Sequence, residues 1–358
     1  MAIFTDIFED VTKYATKIPT NEYLESGKYP IIDQGQNYIA GYTNSINGLF
    51  TDVPAIIFGD HTRVIKYVDH PCFLGADGVK LLKSHKVDNH KYLYYALLNV
   101  NIPNTGYNRH FKWLKEVNVP IPNAKTQENI VCVLDKVTTL ISLRRKQLEK
   151  LDELVKSRFI EMFGDCKDTI ALNDLCSIIT DGTHQPPKFQ KEGIPFIFVS
   201  NLSDNKVTYK TEKFISEETY NQLYERTPIQ YGDILLSTVG SYGHPAVVVD
   251  KSKFLFQRHI AYLKPKSDLV NSFFLHSAIL APDGQRQIEE RVKGIAQKTL
   301  NLSEIRKIRI PIPSIEKQNA FEDFIKQTDK SKFIKENIDE IIFMFALFKC
   351  RKSDKGRN

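Results

Sequence analysis

The chain repeats itself, and that repeat limits its architecture more than any property of composition. Val117-Asn-Val-Pro-Ile-Pro-Asn-Ala-Lys-Thr-Gln127 aligns without gaps with Ile308-Arg-Ile-Pro-Ile-Pro-Ser-Ile-Glu-Lys-Gln318, 191 positions later. Upstream, residues 59–83 align ungapped with residues 240–264, pairing Val68-Asp69 with Val249-Asp250 and Leu82-Lys83 with Leu263-Lys264 at an offset of 181. Between the matched blocks each half carries an aromatic, helix-like patch, Tyr92 to Leu98 and Phe273 to Ile279. A weaker pairing of Tyr29-Pro-Ile-Ile32 with Ile194-Pro-Phe-Ile197 extends the match towards the start of each half. The order of elements is therefore duplicated, and the chain is expected to fold as two similar units.

After the first Pro-x-Pro, apolar or long side chains fall at Ile130, Leu134, Val137, Ile141, Arg144, Leu148, Leu151, Val155, Arg158 and Met162. The steps alternate four and three, the period of a coiled-coil seam. Glu128 suits the positive end of such a helix and Gly164 its end. The second copy shows the same steps at Ile334, Ile338, Ile341, Phe345 and Phe348. A long helix with a narrow apolar stripe gains its stability by burying that stripe, so the two helices are expected to pack on each other. The alternative is that each helix folds back on its own domain. Short β-rich runs punctuated by Gly, Pro and Asn precede each helix: Ala55-Ile-Ile-Phe58, Pro195 to Val199, Asp233 to Leu236 and Ala246 to Val249. The expected fold class is α+β: two repeated domains, 1–123 and 165–313, joined by two long antiparallel coiled-coil spacer helices, 124–164 and 314–358.

Composition excludes several classes. With 42% hydrophobic and 26% charged residues among 358, the chain reads as folded and soluble. The N-terminus carries acids where a secretory or transit peptide needs bases, so a cytoplasmic location is expected. The longest apolar run, Ile341 to Phe348, falls far short of the ~18 residues that span a bilayer. Cysteines at 72, 132, 166, 176 and 350 form no zinc-type spacing, and the nine histidines include no paired-ligand motif. Catalytic motifs are missing too. Gln185-Pro-Pro-Lys-Phe189 is a poor match to the Asp/Asn-Pro-Pro-aromatic motif of a base-flipping methyltransferase. No Gly-rich nucleotide loop is present. The triplets Asp165-Cys-Lys167 and Asp204-Asn-Lys206 sit in turn-like stretches rather than in a carboxylate cluster suited to a nuclease metal. No cofactor or metal is expected.

The net charge of +6 is spread thinly. Residues 1–60 hold 3 Lys+Arg against 8 Asp+Glu, whereas residues 61–124 hold 9 against 4, so contact with DNA in the first half is expected from the latter stretch. Loops combining Gly or Pro with side chains able to pair with bases or phosphates recur in both halves. The first half offers His61 and Arg63, then Asn108, Arg109 and Lys112. The second offers Thr183, His184 and Lys188; Ser241, Tyr242 and His244 with Arg258; and Gln297 with Lys298. Singly each is most simply a solvated turn, and their recurrence at matching places is what marks them.

Asp181-Gly-Thr-His184 with Gly193-Ile-Pro-Phe196, Gly232-Asp-Ile-Leu235, Gly294-Ile-Ala-Gln297 before Ile308 to Pro313, and the long helical patterns after each Pro-x-Pro resemble the specificity (S) subunit of type I restriction-modification enzymes. The first half departs from the pattern: Gly106-Tyr-Asn-Arg109 stands where Gly-x-x-Gln is usual, and Ala124-Lys-Thr-Gln127 lacks the acid before Gln. The resemblance implies two target-recognition domains, each reading half of a split double-stranded DNA site. It also implies a helix pair that acts as a ruler and as the docking surface for two methyltransferase subunits, with motor-nuclease subunits joining them. Methylation, ATP hydrolysis and cleavage would then belong to those partners. A two-domain coiled-coil scaffold that binds proteins is the competing expectation from the residues alone.

Overall fold

The computed structural model describes residues 1–75, 78–85, 89–106, 108–294 and 297–330. Among the described residues two compact units emerge, Met1–Leu143 and residues 144–330, the boundary falling within one long helix. The first contains β1 (Ala2–Ile3), β2 (Phe8–Asp10), β3 (Tyr29–Ile32), β4 (Gly41–Thr43), β5 (Ala55–Gly59), β6 (Ile65–Val68), β7 (Phe73–Leu74), β8 (Val79–Ser84), α1 (His90–Leu98), α2 (Phe111–Leu114) and β9 (Asn118–Val119), and then α3 (Ala124–Phe163) begins. The second contains β10 (Thr169–Ala171), α4 (Leu172–Leu175), β11 (Cys176–Asp181), β12 (Ile194–Ile197), β13 (Phe214–Ile215), α5 (Glu217–Tyr224), β14 (Ile234–Ser237), β15 (Pro245–Val247), β16 (Leu255–Phe256), β17 (Ile260–Pro265), α6 (Ser272–Leu280), α7 (Pro282–Arg291), α8 (Leu302–Ile305) and β18 (Arg309–Pro311). Residues 315–330 are helical.

The sequence repeat is a repeat of topology. A four-stranded sheet ordered β2-β8-β5-β6 answers one ordered β11-β17-β14-β15, and a three-stranded sheet β4-β3-β7 answers β13-β12-β16. Both small sheets contain a parallel pair, Ile31 opposite Phe73 and Phe196 opposite Leu255, and an antiparallel one. Both units also pair their entry with their exit, Ala2 opposite Val119 and Ile170 opposite Ile310.

The uninterrupted apolar runs of β5 and β14 follow from burial on both faces. Alternate side chains point to opposite sides of a strand, so Ile56 and Phe58 join a core with α1, while Ala55 and Ile57 join a second core with Ile32 and Leu74 of the small sheet. In the second unit Ile234 and Leu236 face α6, and Leu235 faces Ile197 and Phe256. Each fully buried Ile, Leu or Phe contributes about 1.5 to 3 kcal/mol. An Asp–Lys pair 31 residues apart pins this sheet in both copies: Lys83 Nζ lies 2.9 Å from Asp52 Oδ1, and Lys264 Nζ 3.2 Å from Asp233 Oδ2. Asp52 is exposed, whereas Asp233 is buried and also accepts the Tyr262 hydroxyl at 2.8 Å. Burial pushes the Asp233 carboxyl above its ordinary value, against the lowering effect of Tyr262, the Gln230 amide and Lys264.

Helix α3 begins after Asn123, whose side chain accepts from the Thr126 amide at 2.9 Å, and it stops at Phe163 just before Gly164. All ten residues of the predicted stripe, Ile130 to Met162, are half-buried, and the residues between them are mostly exposed. Within the described residues, part of the stripe meets helix 315–330, with the Arg158 guanidinium 6.0 Å over the Phe324 ring, and part meets the two cores. Ile130 packs on the first unit's core, and Val155 and Met162 on the second's. The buried aromatic contacts lie outside the stripe, where Phe159 and Phe163 pack mostly edge-to-face among Phe274 and Phe321 with centroids 4.9 to 5.6 Å apart. The second stripe, Ile334, Ile338, Ile341, Phe345 and Phe348, lies outside the described residues, as does Cys350.

Cys72, Cys132, Cys166 and Cys176 are free thiols, and burial pushes Cys72 and Cys176 up to about 12. Thiolate is the reactive form, so iodoacetamide at about pH 8 is expected to label exposed Cys132 and spare Cys72 and Cys176 until denaturant is added. Peptide mass spectrometry checks this. Labelling of Cys176 in the native protein would contradict its buried position.

Candidate nucleic-acid interface

In the second unit the loops singled out in the sequence converge on one end of the four-stranded sheet. Thr238, just beyond β14, is the node. Its amide donates to the His259 carbonyl at 3.0 Å and its carbonyl accepts from the Leu300 amide at 2.8 Å. These two bonds bring the segments holding Arg258 and Lys298 alongside the turn that starts at Gly240. The Gly240 amide then reaches the Lys298 carbonyl at 3.4 Å. The stretch after β11 joins the same cluster, because the Thr183 amide donates to Phe256 O at 2.9 Å and the Arg258 amide to Thr183 O at 3.1 Å. Gly182 is required at this crossing: a Cβ there would lie 2.3 Å from the Phe256 carbonyl oxygen. Gly294 is equally constrained, with φ +106° and a would-be Cβ 2.3 Å from Gln297 O.

The candidate side chains are held to different degrees. His184 Nε2 lies 2.9 Å from Asp181 Oδ2, and the other oxygen of that carboxylate takes Arg226 Nη2 at 2.7 Å. Tyr242 donates its hydroxyl to Glu289 at 2.9 Å, and Lys298 Nζ stands 3.4 Å from the same hydroxyl. His244 Nδ1 lies 3.3 Å from Asn205 Oδ1. Arg258, Gln297, Ser241 and Lys188 are exposed. Arg226, Asn205 and Glu289 were not anticipated. They lie far along the chain from the residues they restrain, and no local spacing announces them.

In the first unit the same end of the sheet is organised by Asp60, beyond β5. Its carbonyl accepts from the His110 amide at 2.8 Å and its carboxylate from the Phe111 amide at 2.7 Å, so the turn with His61 and Arg63 meets the loop with Asn108, Arg109 and Lys112. His61 and Arg63 are half-buried. The His61 amide donates to Gln34 Oε1 at 3.1 Å, and the Arg63 guanidinium donates to Ile102 O at 3.1 Å. Asn108, Arg109 and Lys112 are exposed, and Lys112 Nζ stands 4.1 Å over the Trp113 ring.

The basic balance of residues 61–124 shrinks once the side chains are located. Lys66 is 5% exposed, donates to the carbonyls of Asp33 (2.8 Å) and Asn37 (2.6 Å), and so locks that loop. Burial lowers its pKa, opposed by the Asp33 carboxylate. Lys80 pairs with Asp10 at 2.7 Å, Lys83 with Asp52 at 2.9 Å and Lys91 with Asp135 at 2.9 Å. Arg63, Arg109, Lys112 and Lys115 are the described cations of that stretch not in such an ion pair. The expected contact zone therefore narrows to the Asp60 cluster. Among the described residues no group of His, Cys, Asp and Glu could hold a metal ion, and no helix is long and apolar enough to cross a membrane.

The family model described as the type I restriction modification DNA specificity domain matches residues 4–153 and 166–342. The EcoBI specificity subunit of Escherichia coli, a type I restriction enzyme component, is 24% identical over 309 residues, covering 75% of this chain and 65% of that protein. The EcoR124I/EcoR124II specificity subunit of the same organism is 23% identical over 352 residues, covering 90% and 84%. The chain thus spans just under two thirds of the first of these relatives and more of the second. Among solved structures, the type I restriction-modification S subunit from M. genitalium aligns with a TM-score of 0.52 at 16% identity, over 96% of this chain and 93% of that one, a likeness of fold. With both copies of its repeat matched, the chain belongs to the family of type I restriction-modification DNA specificity proteins.

Proposed function

We propose that the chain is the non-catalytic DNA-specificity subunit of a type I restriction-modification complex, and that each of its two units reads one half of a split double-stranded site. The observation that carries this reading is the duplicated convergence. At the same end of the same sheet, one node beyond β5 and one beyond β14 gather separate loops that present Arg, Lys, Asn and Gln. Such side chains pair with base edges, and backbone amides and hydroxyls contact phosphates. Residues 1–123 and 165–313 are the target-recognition domains in this reading. Residues 124–164 and 314–358 are antiparallel spacer helices that set the gap and dock two methyltransferase subunits. Motor-nuclease subunits bind that assembly, the chain itself needs no cofactor, and it works in the cytoplasm.

Arg258→Ala or Gln297→Ala is expected to weaken binding to the cognate duplex by about 1 to 3 kcal/mol where the side chain reads a base. Titrations at several salt concentrations on cognate and random duplexes separate the base-reading part from the phosphate part. Loss on cognate duplex alone supports the reading. If the wild-type chain shows no preference for any duplex and no salt dependence, the protein-binding scaffold takes its place.

A further inference from the structure

Helix α3 and helix 315–330 are each joined to their unit by the same side-chain link, present once per copy. Gln127, 3% exposed in the first turn of α3, donates Nε2–H to Pro122 O at 3.0 Å and accepts the Asn89 amide on Oε1 at 3.2 Å. Gln318, fully buried at the start of helix 315–330, donates to Pro313 O at 2.9 Å and accepts the Asn271 amide at 2.9 Å. The two asparagines are in turn the N-caps of α1 and α6. Asn89 Oδ1 accepts from Lys91 and Tyr92, and Asn271 Oδ1 from Phe273 and Phe274. Helix α1 packs on β5 and β6, the hairpin whose turn holds His61 and Arg63, and α6 packs on β15, which leaves the turn holding Tyr242 and His244. In each copy, hydrogen bonds therefore tie the first turn of α3 or of helix 315–330 to the N-cap of α1 or α6, and that helix packs on the strands that carry a candidate DNA-reading loop.

An aliphatic side chain of the same length would fill this space without the cost of burying an amide. What the carboxamide adds is direction, because hydrogen bonds at both its ends fix an angle that apolar packing leaves free to slip. We propose that Gln127 and Gln318 are positioning residues that hold each loop cluster at a set angle to its long helix, and so determine how sharply the chain selects one gap between half-sites. This rests on the reading of the helices as a ruler.

The test uses the full chain assembled with its methyltransferase subunits and a plasmid panel carrying the two half-sites at the native gap and at gaps one base pair longer and shorter. Gln318→Ala is compared with the gentler Gln318→Met and Gln127→Met, and methylation is scored at every gap. The ratio of native-gap to altered-gap methylation is expected to fall about three- to tenfold, the equivalent of one or two lost hydrogen bonds, with the half-site bases unchanged. A variant that is merely less stable lowers methylation at all gaps together. An unchanged ratio in the folded variants overturns the proposal. If the wild type methylates no bipartite site at all, the functional reading fails and not this link.

Discussion

Seven residues inserted after Lys146 are expected to abolish methylation at the native site and to create it at a site whose unread gap is about three base pairs longer. Helix α3 is 40 residues long, and a rise of ~1.5 Å per residue gives it roughly 60 Å. Seven more add about 10 Å, near three steps of ~3.4 Å along DNA, and keep the half-buried row in phase because its spacing repeats every seven residues. Four residues add ~6 Å, about two base pairs, with the row only partly in phase. Lys146 is exposed, so the insertion disturbs no buried contact there. Methylation mapping reads both gap and bases, and altered bases at an unaltered gap would remove the helices from the role of ruler.

Phe163→Ala is expected to cost about 3 to 5 kcal/mol, the range for truncating a fully buried aromatic ring. Phe163 is 2% exposed, and its ring centroid lies 5.2 Å from Phe159, 4.9 Å from Phe274 and 5.6 Å from Phe321. For a unit of this size each kcal/mol lowers the melting temperature by roughly 2 to 4 °C, so a thermal scan should show a drop of about 6 to 20 °C. Leu154→Ala is the control: on the same helix but 48% exposed, it should shift the melt little. Equal shifts for both would mean that the aromatic cluster is not what anchors α3 to the second unit.

The elements were largely legible in the sequence because they are written in local patterns. The runs Ala55-Ile-Ile-Phe58 and Asp233-Ile-Leu-Leu236 become central strands, Tyr92 to Leu98 and Phe273 to Ile279 become α1 and α6, and the four-three spacing marks the half-buried row of α3. The aromatic anchors escaped because a single periodic row describes a helix touched on one side, whereas the last turns of α3 meet both α6 and helix 315–330 through Phe159 and Phe163. Helix α7 was missed for another reason: only Ile288 in it is a buried apolar residue, so no amphipathic pattern stands out. The offset between copies grows from 182 at Asn89 and Asn271 to 191 at Gln127 and Gln318, and α7 lies inside that interval. In the candidate interface, residue types could be named from the sequence but their company could not. Thr238 and Asp60 gather loops distant in sequence, and Lys66, counted among the bases available to DNA, is buried against backbone carbonyls.

The short pairings of β1 with β9 and of β10 with β18 bring the two ends of each unit together. A unit whose ends are neighbours behaves as a cassette. The second unit, whose paired ends β10 and β18 lie just after α3 and just before helix 315–330, can be replaced at two neighbouring points with both helices left whole. In the proposed reading, exchange of a whole unit would change the half-site that is read in one step, where loop substitutions act one residue at a time.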